Sequence, residues 1–480
     1  MRHITWYVEL TAIVLLVLGS RVAERCNAAD GTMGPLVVCS ANRRYFQNAT
    51  TGDVVYLTGS HTWANLVDMG TTDPPPAFDF DGYLDWMAGF DHNFIRLWTW
   101  ELVTWDTTAN QQNKRHIVAP LPYARTGPGE ALDGKPRFDL TKFDSEYFAR
   151  LKSRVVAARK RGIYVSIMLF EGWGLQFASG AWEGHPFHPK NNINGIDGDA
   201  NGDGKGVEVH TLGNEAVTAI QEAYVRKVIE TVNGCDNVLY EISNENHPPS
   251  TAWQYHMIRF IKACEGRSAS GGPMRHPVGM TFQYKGGRNE TLFDSPADWV
   301  STNPDGGYRD DPPVADGRKV VITDTDHLWG IGGNQGWVWK SFLRGHNPIF
   351  MDPYDGEVLG PGSDSRWDPI RRSMGHTRQF ARRMDLARAV PVKDVASTGY
   401  CLADEGRTYL VFRPQGQGDS FTVRLPSGTY TCEWFDPGSG RQVAVETLQV
   451  RAGDREFRPA FAGDAVLLLT RTVSPEKESD

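Results

Sequence analysis

At 480 residues the chain is too long for one ordinary compact domain. Hydrophobic residues make up 40%, enough for a sizeable core, and a formal net charge of −8 argues against nucleic acid or an anionic membrane as the main partner. Its 15 Trp, 16 Tyr and 22 Phe exceed what a core needs and leave rings for flat, stacking ligands such as sugars.

The N-terminus reads as an export leader. Arg2 and His3 precede the apolar run "TAIVLLVLGS", and the small residues of "CNAAD" follow. The run is too short to span a bilayer well. Cleavage near Ala28 is expected, giving a leader over 1–28, the loss of Cys26, a secreted or periplasmic protein and no membrane attachment afterwards, with a retained anchor as the alternative. Cys39, Cys235, Cys264, Cys401 and Cys432 remain, an odd and sparse set that is no disulfide framework. Cys401 and Cys432 are read either as one bridge or as two buried thiols.

From residue 54 onward short apolar runs alternate with amphipathic stretches. The runs lie at 54–60, 93–100, 163–170, 237–243, 277–284, 298–303, 319–324 and 347–352. Nearly continuous apolar runs, rather than alternating ones, fit parallel strands buried on both faces. Between them, Phe148, Leu151, Val155 and Ala158 share one helical face in 146–160. Ile220, Tyr224, Val228 and Val232 do so in 215–232, with Asn214 placed as its N-cap. Eight such units predict an α/β fold, a (β/α)8 TIM barrel over 29–389 with an N-terminal β-hairpin lead-in. After a joint at 386–392, short strands punctuated by Gly, Pro and Asp predict a small all-β sandwich over 390–473. Residues 474–480 form a polar tail.

Catalytic groups in such a barrel hang from the C-terminal ends of the strands. Those ends offer His61, then Arg96, Trp98, Trp100 and Glu101, then Glu171 and Trp173, then Asn244 and Glu245. Further on come Tyr284, then Asp324, Asp326 and His327, and finally Asp352. Carboxylates, aromatics and one Arg on one rim suit glycoside cleavage, which needs two carboxyl groups flanking the bond. The gap from 245 to 324 is 79 residues, close to the roughly 90 that three βα units occupy.

Three motifs carry a resemblance. "VLYEISNE" is similar to the strand-4 motif of clan A (cellulase-like) glycoside hydrolases, "NFIRL" to their strand-2 motif, and "VVITD" to their strand-7 ending. The late β domain resembles accessory sandwiches found behind such barrels, one type of which is labelled collagen-binding. The resemblance implies a secreted glycoside hydrolase, retaining in mechanism, acting on a poly- or oligosaccharide with no catalytic cofactor. It implies Glu245 as acid/base, Asn244 as donor to the sugar 2-hydroxyl, Arg96 as the group keeping the nucleophile ionised, and Asp324 as that nucleophile. Departures from the pattern are Asp in place of Glu on strand 7, Asn246 in place of Pro, and no strand-8 Trp. Asp326, two residues beyond Asp324 and facing the same way if the strand continues, is a rival nucleophile, and Trp329, Trp337 or Trp339 a substitute sugar platform. The remaining rim residues are read as substrate contacts. The alternative is an inactive sugar-binding or adhesion protein on the same barrel.

One motif stands apart. "DGDANGDGKGVE" places Asp197, Asp199, Asn201, Asp203 and Glu208 at the spacing of a calcium loop. Its flanks do not read as helices, so it is no helix–loop–helix sensor; it reads either as a flexible Gly-Asp-Asn surface loop or as a structural calcium site bracing the cleft wall.

Overall fold

The structure is a computed structural model that describes residues 33–106, 115–266, 275–354 and 364–472. The expected leader and polar tail lie outside the described residues. Eight parallel strands form the barrel: β1 (Gly59–His61), β2 (Phe94–Leu97), β3 (Tyr164–Glu171), β4 (Val238–Asn244), β5 (Val278–Thr281), β6 (Trp299–Ser301), β7 (Val320–Asp324) and β8 (Asn347–Met351). Ladder pairing runs from β2 through β3 to β8 and on to β1. Every residue of these strands is buried, the condition that reads in sequence as unbroken apolar runs. Between β1 and β2 the backbones nearly touch: a side chain at Gly59 would start 2.1 Å from the Phe94 carbonyl oxygen. Asn93 knits the same seam, donating to the Tyr56 carbonyl and accepting the Thr58 N–H at 2.9 and 3.0 Å.

The expected helices form at Ser145–Lys160 and Glu215–Val232, the second capped by the Asn214 side chain, which accepts from Ala216 and Val217 N–H. Phe148, Leu151, Val155, Ala158, Tyr224, Val228 and Val232 are buried, while Ile220 is half-buried at the edge of its face. The lead-in is a three-stranded antiparallel meander, Leu36–Val38, Phe46–Asn48 and Val54–Val55, instead of a hairpin. Val54–Val55 thus ends the meander, and the first apolar run divides between it and β1. Leu36 and Phe46 pack under the barrel with Leu57, Phe94, Tyr164 and Trp299, closing its floor.

The C-terminal all-β domain opens with Val390–Pro391 and continues through Cys401–Asp404, Thr408–Arg413, Ala465–Thr472, Gly428–Asp436 and Arg441–Val450 as a six-stranded sheet. A two-stranded ladder, Phe421–Leu425 with Gly453–Phe457, covers one face across an apolar layer. The other face packs Leu410, Phe412, Phe435 and Leu468 against Trp339, Phe342 and Phe380 on the helices Gln335–Leu343 and Asp368–Ala381. One core therefore joins the two domains. Cys401 and Cys432 are buried free thiols, so the bridge alternative is not formed. Among the described residues no helix is long and apolar enough to cross a membrane.

Candidate active site

The centre is built around Arg96 on β2. A guanidinium buried to 1% exposure needs compensating charge and hydrogen bonds. It donates to both Glu241 oxygens (2.5 and 2.9 Å), to Asp324 at 2.7 Å, to Asp326 at 3.3 Å and to the Asn244 Oδ1 at 2.7 Å. Its charge also lies 4.8 Å from the Trp98 ring centroid, and Trp98 stacks on His61. One cation thus gathers the ends of β2, β4 and β7. Removing one partner of such a buried network leaves uncompensated charge, worth about 3–5 kcal/mol.

Asn244 has a fixed orientation. Arg96 can only donate, so the Asn244 oxygen accepts, and His327 Nε2 approaches the same oxygen at 3.2 Å. The amide nitrogen is left as a donor. His327 is locked from its other side by Ser301 at 2.7 Å, and burial pushes it down to about 3, so it is neutral.

Glu245, the next residue, sits at φ 41, in the left-handed region that a β-carbon disfavours by about 1–2 kcal/mol. Such strain persists where surrounding contacts over-determine the backbone, and it clusters at functional sites. Here Gln176 donates to the Glu245 carbonyl at 2.9 Å, Gly172 N–H donates to the Asn244 carbonyl, and Asn246, in the place of the expected Pro, bonds Ser243. A side chain at Gly172 would start 2.5 Å from Asn246, so only glycine fits beneath this turn. Burial, then the charges of Asp326 and Glu171, raise the Glu245 carboxyl well above its ordinary value.

The two strand-7 aspartates differ sharply. Asp324 ends β7 and caps the short helix Thr325–Trp329; its oxygens accept from His61 at 2.9 Å, from Arg96 and from the Asp326 N–H. Its side chain is 0% exposed. Burial alone would raise it, but His61 and Arg96 outweigh this and hold it well below the carboxylate range. Asp326 lies in the first helical turn with its side chain 7% exposed, and burial beside Asp324 lifts it to about 6. Asp324, Asp326 and His327 each offer a metal-ligand atom within 4.8 Å of one another, but Arg96 already supplies the positive charge there.

The remaining rim residues separate into two groups. Trp173, Tyr284 and Trp329 are half-buried, and Trp173 and Tyr284 each touch Phe177. Trp98, Trp100 and His61 are buried, and Trp100 donates to the Trp63 carbonyl at 3.0 Å. Asp352 is fully buried in a two-pronged pair with Arg371, so it presents no surface to a sugar. Trp337 and Trp339 are core residues, which leaves the half-buried Trp329 as the one ring of that group with solvent access. Glu101 accepts from Glu171 N–H at 2.8 Å and from His210 at 3.0 Å; burial is outweighed by His210 and His185, and it falls to about 2. Glu171 accepts from Trp173 and Gly174 N–H, yet burial lifts it to about 8. Glu241 was missed from sequence. Its signal was a charge inside the apolar run "VLYEIS", where a carboxylate requires a buried partner.

In the calcium-type loop, Asp199, Asp203 and Glu208 converge within 4.8 Å. Asp197 instead accepts the Asp199 N–H, and Asn201 bonds Glu208 directly. Glu208 lies in a single 3-10 turn, Val207–His210. That turn is tied to the rim: Val207 carbonyl accepts from His247 at 2.8 Å, and His210 holds Glu101.

These features define a class, a (β/α)8 barrel carrying an all-β domain, with carboxyl groups gathered around one buried Arg at the C-terminal rim. A family model described as "Domain of unknown function (DUF6298)" matches residues 117–270, the span holding Glu171, Asn244 and Glu245. No curated protein matches the sequence significantly. A solved structure titled "Glycoside hydrolase" is similar over 92% of this chain and 97% of its own, with 14% identity and a TM-score of 0.59. A glycoside hydrolase family 5 structure from Bacteroides vulgatus ATCC 8482 is similar over 91% and 94%, with 12% identity and a TM-score of 0.59. At these identities the likeness establishes the shared fold, and activity has to be argued from the site.

Proposed function

We propose that the protein is a glycoside hydrolase acting on an oligo- or polysaccharide by retention. The observation that carries the reading is that two carboxyl groups at the strand-4 and strand-7 ends, Glu245 and the Arg96-bonded Asp326, keep 7% and 9% exposure where Asp324 has none. A nucleophile must meet the anomeric carbon. Asp324 is the sequence-favoured choice, but it is sealed by His61 and Arg96. We therefore assign attack to Asp326 and a positioning role to Asp324. Glu245 protonates the leaving oxygen while Asp326 forms the bond to C1; Glu245, then ionised, takes a proton from the water that releases the sugar. Asn244 offers its amide N–H to the 2-hydroxyl. Release of reducing ends from a panel of plant, algal and microbial polysaccharides tests the activity, and anomer-resolved NMR tests retention.

The pH dependence follows from the two carboxyls. Asp326 must be ionised, so kcat/KM rises with pH through about 6. Glu245 must be protonated, so the rate falls as pH climbs through its raised value. A bell whose acid limb lies near pH 4 contradicts this assignment.

We also infer that the 1–28 leader exports the chain, and that the C-terminal domain, sharing a core with barrel helices, is a fixed accessory sandwich of the kind seen behind related barrels. The loop at 197–208 is proposed to bind calcium through Asp199, Asp203 and Glu208 and to brace the cleft wall through His247 and His210. Chelation should lower Tm by roughly 5 °C and reduce activity; no change in either contradicts the strut.

A further inference from the structure

Two exposed cations sit over aromatic rings in loops at the C-terminal rim of the barrel. Lys285, in the loop after β5, holds its Nζ 4.5 Å from the Phe177 ring centroid and 5.6 Å from that of Tyr284. Arg309, in the loop after β6, lies 5.6 Å from the centroid of Trp329. Among the described residues neither has a carboxylate within ion-pair distance, although the chain carries 58 acidic residues against 50 basic ones.

Both are mounted firmly. Lys285 has φ 52, left-handed and unfavourable for a lysine. Its turn is anchored by Gln283, whose amide nitrogen lies within 3.3 Å of the His247 and Pro248 carbonyls and 3.0 Å from Thr251. Trp329 stands edge-on to the buried Trp337, whose indole N–H donates to the carbonyl of Tyr308, the neighbour of Arg309.

The Lys285 cluster adjoins the reacting centre. His327, Phe282, Tyr284, Phe177 and Trp173 form an unbroken line of ring contacts, and Gln176, the neighbour of Phe177, bonds the Glu245 carbonyl. A cleft rich in carboxylates repels an anionic ligand unless cations are placed where the charge must lie. An ammonium resting on a ring is held in place yet keeps N–H donors free for an anion.

We propose that the substrate is an anionic glycan, bearing a uronate carboxylate or a sulfate ester, and that Lys285, assisted by Arg309, reads that group. This rests on the glycosidase reading above. The test is affinity electrophoresis of the full chain through gels holding polygalacturonate or alginate (uronates), carrageenan (sulfates), or neutral mannan and galactan, together with reducing-end release on each. The expected result is retardation by one class of polyanion, weakened about ten-fold in Lys285→Met, reduced in Arg309→Met, and largely kept in Lys285→Arg. Equal retardation of wild type and Lys285→Met overturns the inference. So does cleavage of a neutral polymer alone with kcat/KM unchanged in Lys285→Met, an outcome that leaves the glycosidase reading standing. If no polymer is retarded or cleaved, both readings fall.

Discussion

Glu245→Gln is expected to lower kcat on natural linkages by about 10²–10⁴-fold, the range that a general acid–base group contributes. Gln matches Glu in shape and keeps the left-handed turn held by Gln176 and Gly172, so the fold should survive and Tm should stay close to wild type. It has no acidic proton to supply, unlike Glu245, whose carboxyl burial and the neighbouring carboxylates raise. Aryl glycosides whose leaving group needs no protonation should lose much less in the first step. Full activity of Glu245→Gln on a poor leaving group removes Glu245 from the acid/base role.

Asp326→Ala is expected to be still more damaging, on the order of 10⁴-fold or more, because the covalent step disappears. Small anions can then enter the vacated face, so azide should restore turnover and yield a glycosyl azide of inverted configuration. Asp324→Ala should behave differently. It strips His61 and Arg96 of a fully buried partner, so it should lower Tm as well as activity and gain nothing from azide. If azide rescues Asp324→Ala and not Asp326→Ala, the two roles are exchanged.

The contrast between these aspartates shows where sequence reasoning stops. The eight apolar runs are legible because a strand buried on both faces tolerates few polar residues, and "SNE" after one of them marks Asn244 and Glu245. The resemblance puts Asp324 first, and Asp326 rivals it from sequence only on the premise that the strand continues past both. It stops at Asp324, which turns inward to cap a helix, while Asp326 moves out onto the first turn. That choice depends on a local change of backbone period that no spacing reveals. Asp352 misleads for a similar reason. A strand-end carboxylate looks the same in sequence whether it faces the cleft or pairs with an arginine from the following helix, here Arg371. The unpaired state of Lys285 and Arg309 is equally invisible, since it depends on which carboxylates the fold brings near.

The most direct test of the central claim is the release of reducing ends by the purified full chain, measured beside Glu245→Gln on the same polysaccharide panel. Cleavage of at least one polysaccharide by the wild type, lost in Glu245→Gln, is the predicted result. Sugar binding without any release by the wild type would contradict it and leave an inactive carbohydrate-binding barrel.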